Sequence, residues 1–147
     1  MSFVDKIKDE IKDIKSEFNY PNDGTAFGHF AIKRGISKIL ELNDISDLEL
    51  DNFIKSHVTD KANDNGVDVI FSNQSKQIYI FQFKYSDWNL LNLEEFKKTK
   101  YFLDWIFKID GNISKEIDCN TTLKTILNNE IFPIIEKRER FAACIIR

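Results

Sequence analysis

Asp64-Asn65-Gly66-Val67-Asp68-Val69-Ile70-Phe71, then Asn73-Gln74-Ser75-Lys76, then Ile78-Tyr79-Ile80-Phe81-Gln82-Phe83-Lys84-Tyr85 is the stretch on which the fold turns. β-Branched and aromatic residues dominate both flanks, and such residues favour a pleated, half-buried surface. The four residues between them are turn chemistry, so the stretch predicts a β-hairpin. The second flank is apolar on both faces until its end, which predicts a central strand covered on both sides.

Outward from the hairpin the period changes from two to about 3.6. Phe3, Ile7, Ile11, Ile14 and Phe18 lie three or four apart and predict an amphipathic helix over 2–18, broken by Asn19 to Gly24 with its Pro21. A second helix is expected from about Thr25 to Leu42, with Asn22 or Asp23 at its cap. A short third one follows Ser46, because Ser46 and Glu49 have capping-box spacing. After the hairpin, Leu90 to Ile109 reads as helix, with Leu93, Phe96, Phe102, Trp105 and Ile106 inward and Gly111 as the stop. Thr121 to Glu136 reads as another, bent or ended early by Pro133. Phe141 to Ile146 reads as a closing strand. Helices, hairpin, helices and strand together predict one α/β domain over residues 1–147, with a small mixed sheet. The last strand runs to the end of the sequence, which raises the expectation of an N-terminal piece of a longer protein with a further C-terminal domain.

Bulk properties narrow the function classes. The formal net charge is −3, which disfavours a protein that coats nucleic acid by charge alone. It leaves room for a nuclease, whose site is acidic and whose basic surface is local. Cys119 and Cys144 have no CxxC spacing and read as reduced, partly buried thiols. With only His29 and His57 beside them, a His/Cys zinc site is not expected. The N-terminus lacks an apolar signal region and no uncharged run reaches membrane-spanning length, so a cytoplasmic protein with no membrane association is expected.

Asp68 sits near the start of the first predicted strand, and Gln82 and Lys84 near the end of the second. Antiparallel pairing lays those ends side by side, and Gln82 and Lys84, two apart, share a face. A carboxylate, an amide and an ammonium should therefore converge at one edge of the sheet. Charges on buried strands are costly unless paired, hydrogen-bonded or metal-bound. One outcome is a strand-end salt bridge in which Lys84 reaches to solvent; the other is a site.

The fuller string, Asp64-Asn65-Gly66-Val67-Asp68 followed across a hairpin by Gln82-Phe83-Lys84-Tyr85-Ser86, resembles the PD-(D/E)xK nuclease superfamily. It is most similar to the branch in which Gln replaces the second acid, found in Mrr-like restriction enzymes and in the N-terminal domain of AIPR-type abortive-infection phage-resistance proteins. Ala26-Phe27 on the upstream helix also fits. The resemblance implies a restriction-endonuclease-like core and an Mg²⁺- or Mn²⁺-dependent endonuclease acting on nucleic acid, DNA first and RNA as the variant, in prokaryotic anti-phage defence. It also admits a homodimer. On it, Asp68 is the principal metal ligand, with Gln82 through its side-chain oxygen and Phe83 through its backbone carbonyl. Lys84 orients the attacking water and stabilises charge on the phosphate. Hard oxygen donors suit Mg²⁺, which keeps several waters and needs few protein ligands.

Asp64 is an outer carboxylate or a turn residue before Gly66. Family members carry a Glu directly after the position of Phe27, where this chain has Gly28 and His29, and Glu41 lies too far along to replace it. His29 is then an accessory contact to metal or phosphate, or a helix-surface residue. The alternative function is a catalytically inactive restriction-like fold that binds nucleic acid or protein. Tyr85, Trp88 and Tyr101 are candidates for base stacking, with core packing preferred for Tyr101. Lys97, Lys98 and Lys100 are candidates for phosphate contacts or a solvated face.

Overall fold

Ser2 opens the chain with a capping box, its side chain accepting from Asp5 N while the Asp5 carboxylate accepts from Ser2 N. From there helix α1 (Phe3–Glu17) buries Ile11 and Ile14, with Phe18 just beyond it, while Phe3 stays exposed in the first turn. Left-handed Asn19 breaks the helix, and Asn22 caps α2 (Asp23–Ala31). α2 continues into a π-helical turn (Ile32–Ile36) and a 3-10 turn (Ser37–Leu40). The expected capping box of Ser46 and Glu49 starts α3 (Asp47–His57). This computed structural model describes residues 1–62, 64–85, 93–106, 118–137 and 143–146.

The hairpin forms as expected, from β1 (Val69–Ser72) and β2 (Ile78–Phe81), with Val69 opposite Phe81 and Ser72 opposite Ile78. Asn73 manages the turn, its Oδ1 accepting from Gln77 N and its backbone oxygen from left-handed Lys76. A third strand, β3 (Ala143–Ile146), pairs parallel to β2 on its other side and makes β2 central. The sheet is therefore mixed and the architecture α/β. β2 ends at Phe81, four residues short of the predicted strand, because Phe83 N turns to the Asp68 carboxylate rather than continuing the ladder.

Side chains alternate across the hairpin, and both faces are covered. Ile70, Ile78 and Ile80 pack against Phe102 and Ile106 of α4 (Leu93–Ile106) and against Leu123, Leu127 and Ile131. Val69, Phe71 and Phe81 pack on the opposite face against Ile32, Leu40, Ile54 and Val58. On α4, Phe96 and Tyr101 are exposed, against their expected inward positions. The helical run from Thr121 to Glu136 holds, as α5 (Thr121–Ile126), a π-helical turn (Leu127–Ile131) and α6 (Phe132–Glu136). The π turn directly precedes Pro133, whose ring and missing N–H forbid regular i−4 bonding there. It also presents Glu130, whose carboxylate accepts from Ser72 N and lies 2.7 Å from His57 Nε2, tying β1 to α3.

No helix among the described residues is long and apolar enough to cross a membrane. Cys119 is a half-buried free thiol. The expected Gly111 stop, the outer ends of the Leu90–Ile109 helix, Phe141 and Ala142 at the start of the closing strand, and Trp88 and Ser86 lie outside the described residues.

Candidate metal centre beside the hairpin

Asp68 immediately precedes β1, and pairing extends one residue past the strand, since Asp68 N donates to Phe81 O at 2.9 Å. Val67 packs with Phe102 and Ile106 whereas Val69, two residues on, lies on the opposite face, so the alternation is interrupted at Asp68. The Asp68 backbone oxygen accepts from Thr59 N at 2.8 Å, and its Oδ2 accepts from Phe83 N at 2.6 Å. The residue is thus fixed from three directions, twice through its main chain and once through its carboxylate. Gln82 is buried, Lys84 exposed and Phe83 half-buried, and all three line one cleft of about 370 Å³ together with Asp60, Asp64, Asp68 and Lys98. Asp68, Gln82 and Lys84, singled out from sequence, are therefore brought to one place.

Two further carboxylates join Asp68. One oxygen each of Asp60, Asp64 and Asp68 lies within 4.8 Å of the others. Asp64 fills both roles open to it: Oδ1 accepts from Gly66 N at 2.9 Å as a turn residue, and its carboxylate belongs to the cluster. Burial pushes the Asp64 carboxyl above its ordinary range, and the charge on Asp60 pushes the same way, against the Gly66 N–H and Lys98. Gly66 has φ +76, and a Cβ there would lie 2.8 Å from Thr99 Oγ1. Thr99 itself donates to Gly66 O, so α4 is locked onto the approach to β1. That contact brings the neighbouring Lys98 to the cleft. Lys97 and Lys100 instead pair with Glu94 and Asp104 on the helix surface.

Asp60 is the residue that sequence spacing missed. It follows Val58, which bridges to Val69 along the free edge of β1, and Thr25 Oγ1 on the first turn of α2 donates to its Oδ2 at 2.7 Å. A third acid thus reaches the cluster from outside the motif. At the position after Phe27, a Cβ on Gly28 would lie 3.2 Å from the Phe83 ring, so any side chain there requires that ring to give way.

His29 is corrected on both counts. It is fully buried rather than on the helix surface, and it lines no part of the cleft. Its Nε2 bonds Asp51 Oδ1 and its Nδ1 bonds Tyr20 Oη, each at 2.8 Å, while Lys33 donates to Asp51 Oδ2. A carboxylate only accepts, so Nε2 carries the proton and the Tyr20 hydroxyl donates to Nδ1. Burial holds the His29 imidazole below its ordinary pKa, outweighing the opposing pull of Asp51. The contact is a hydrogen bond from a neutral imidazole to a carboxylate, and not an ion pair. Glu41 caps the far end of the hairpin, accepting from Ser75 N and Oγ. Tyr85 is exposed and packs on Phe27 at 5.3 Å between ring centroids.

Three carboxylates and a buried amide are hard oxygen donors of the kind that Mg²⁺ and Mn²⁺ take, so the donor set fits such an ion. Compared with known proteins, the chain matched no family model, no curated protein and no solved structure.

Proposed function

We propose that this cleft is the active site of a divalent-metal-dependent nuclease of the PD-(D/E)xK type on a restriction-like core, acting on nucleic acid, with DNA as the first substrate to test and anti-phage defence as the setting. The observation that carries it is the meeting of three carboxylates with Gln82 and Lys84 in one open cleft. An all-acidic pocket would suit a cation alone; lysines on its rim suit a cation and a phosphate together.

Asp68, with Asp60 and Asp64, would hold the ion, and the Gln82 amide oxygen and Phe83 carbonyl are further donors. When bound, the ion supplies Lewis acidity toward the phosphate and a water of lowered pKa. The remaining work falls to the protein. Phe83 N–H fixes the Asp68 carboxylate, Thr25 fixes Asp60, and the Gly66 turn fixes Asp64. Lys84 stands at the cleft to orient a water and to stabilise charge growing on the phosphate oxygens. Lys98, from α4, offers a second cation to the same phosphate. In the hydrolysis, a water oxygen bonds phosphorus as the P–O bond to the leaving sugar oxygen breaks, and that oxygen takes up a proton.

Purified protein with Mg²⁺ or Mn²⁺ is expected to nick plasmid DNA, and Asp68→Ala and Lys84→Ala to abolish nicking. Intact DNA and RNA with either metal would refute the proposal. Mn²⁺ titration then identifies what remains: binding that requires Asp68 marks a metal site without turnover, and no binding marks a silent scaffold.

A further inference from the structure

A second groove, of about 450 Å³, opens beside the cleft, and Asp60 lines both. Its walls come from Phe18 and Tyr20 after α1, from Asn52 and Lys55 on α3, and from Asp60 and Lys61 beyond α3.

The groove's charge points to an anion. Lys55 and Lys61 are exposed, and neither is ion-paired with a described residue. Lys15, Lys33, Lys97 and Lys100 by contrast each lie within 3.3 Å of a carboxylate. Lys61 bonds the Thr122 hydroxyl, and Lys55 stands 5.7 Å above the Phe18 ring. On a chain of net charge −3, two exposed ammonium groups without carboxylate partners among the described residues, facing one groove, create a local site for phosphates.

The aromatic wall is held rigid. Left-handed Asn19 turns the chain to present Tyr20, whose hydroxyl is fixed through His29 to Asp51 and Lys33. Phe18 stacks on the His29 ring at 4.7 Å. Burying such a polar chain is costly, and none of Tyr20, His29, Asp51 and Lys33 lines the metal cleft. What the network does achieve is a single orientation for the half-buried Tyr20 ring at the groove wall. A fixed ring and two ammonium groups lining one groove are the chemistry of an unstacked nucleotide, with the base on the ring and its phosphates on the lysines.

We propose that this groove binds the nucleotides flanking the scissile phosphate, on one unstacked strand running past Asp60 into the metal cleft. The inference rests on the proposed function for its substrate class. Its test is therefore a binding measurement that needs no cleavage: anisotropy of a fluorescein-labelled oligothymidylate and of a matched duplex, in EDTA, over a salt series. The double variant Lys55→Gln/Lys61→Gln changes exposed residues only. It should weaken binding at least tenfold and flatten log K against log salt by roughly 0.7 per lysine for the single strand. Tyr20→Ala should weaken binding about 5- to 100-fold with the salt slope unchanged, and Tyr20→Phe, which keeps the ring but loses the bond that fixes it, should weaken binding by less than Tyr20→Ala. Wild-type affinity and slope in the double variant would overturn the groove while leaving the nuclease proposal standing. Groove-dependent binding by a protein that cleaves nothing in Mg²⁺ or Mn²⁺ would do the reverse. A duplex bound more tightly than the single strand would overturn the unstacked mode.

Discussion

The main chain of Asp68 is bonded on both sides, to Phe81 O and Thr59 N, and its side chain takes a third bond from Phe83 N. The proposed metal-binding role and a structural one therefore meet in one residue, and the choice of substitution separates them. Asp68→Asn keeps an acceptor for Phe83 N and should fold like the wild type while losing Mn²⁺ binding. Asp68→Ala also strands a half-buried N–H and should cost about 1–2 kcal/mol in a denaturant titration. Gly66 permits a sharper test of the approach to β1. Alanine there must take a positive φ and meet Thr99 Oγ1 at 2.8 Å, so Gly66→Ala should destabilise by about 2–4 kcal/mol and shift the denaturation midpoint accordingly. His29 sets a pH dependence. Its folded pKa lies below the ordinary 6.5, so below that value the unfolded chain binds a proton that the folded one refuses. Stability should fall as the pH drops through 6.5, and His29→Gln should flatten that part of the curve. For Asp51, burial pushes the carboxyl up, but the bonds from Lys33 and His29 prevail and leave it below 3.8. Its contribution is lost only under more acid conditions, so that limb should respond to Asp51→Asn, read from the same stability-against-pH curve.

At the scale of elements, what could be read from the sequence depended on how local the controlling contact was. The hairpin, its turn and the convergence of Asp68 with Gln82 and Lys84 follow from one four-residue turn and an alternation of two, and these were legible. Asp60 was not. It reaches the cluster through the Val58–Val69 bridge and the Thr25 hydroxyl, 35 positions away in sequence, and neither leaves a periodic trace. His29 was misplaced for the same reason, because its partner Asp51 sits on another helix, 22 positions on. A signal was nonetheless present in Gly28, a glycine inside a helix, which marks a face pressed against something, here the Phe83 ring. Asn120 joins two elements in one side chain: Oδ1 caps α5 at Leu123 N, and Nδ2 donates to Thr59 O beside the acidic cluster. Asn120→Ala should cost about 2 kcal/mol, one part cap and one part bridging bond, read as a lower unfolding midpoint.

For the whole molecule, the metal and the fold should be linked, because the three acids come from a segment after α3, from a turn and from the edge of β1, and are adjacent only when the chain is folded. A Mn²⁺ concentration about 100 times its dissociation constant should add about 2.7 kcal/mol of stability. That corresponds to a rise of roughly 5–10 °C in the melting temperature for a chain of this size, and Asp68→Asn should abolish it. The parallel pairing of β3 with β2 has a different consequence, in time. β2 gains its antiparallel neighbour at once, but the hydrogen-bonding groups on its other side wait until Ala143–Ile146 have been made and carried back past α4, α5 and α6. During synthesis on the ribosome, an oily ribbon with one open seam exists for the whole interval in which those helices emerge. A nascent chain arrested before Ala143 would present that seam to chaperones, proteases and other arrested copies alike.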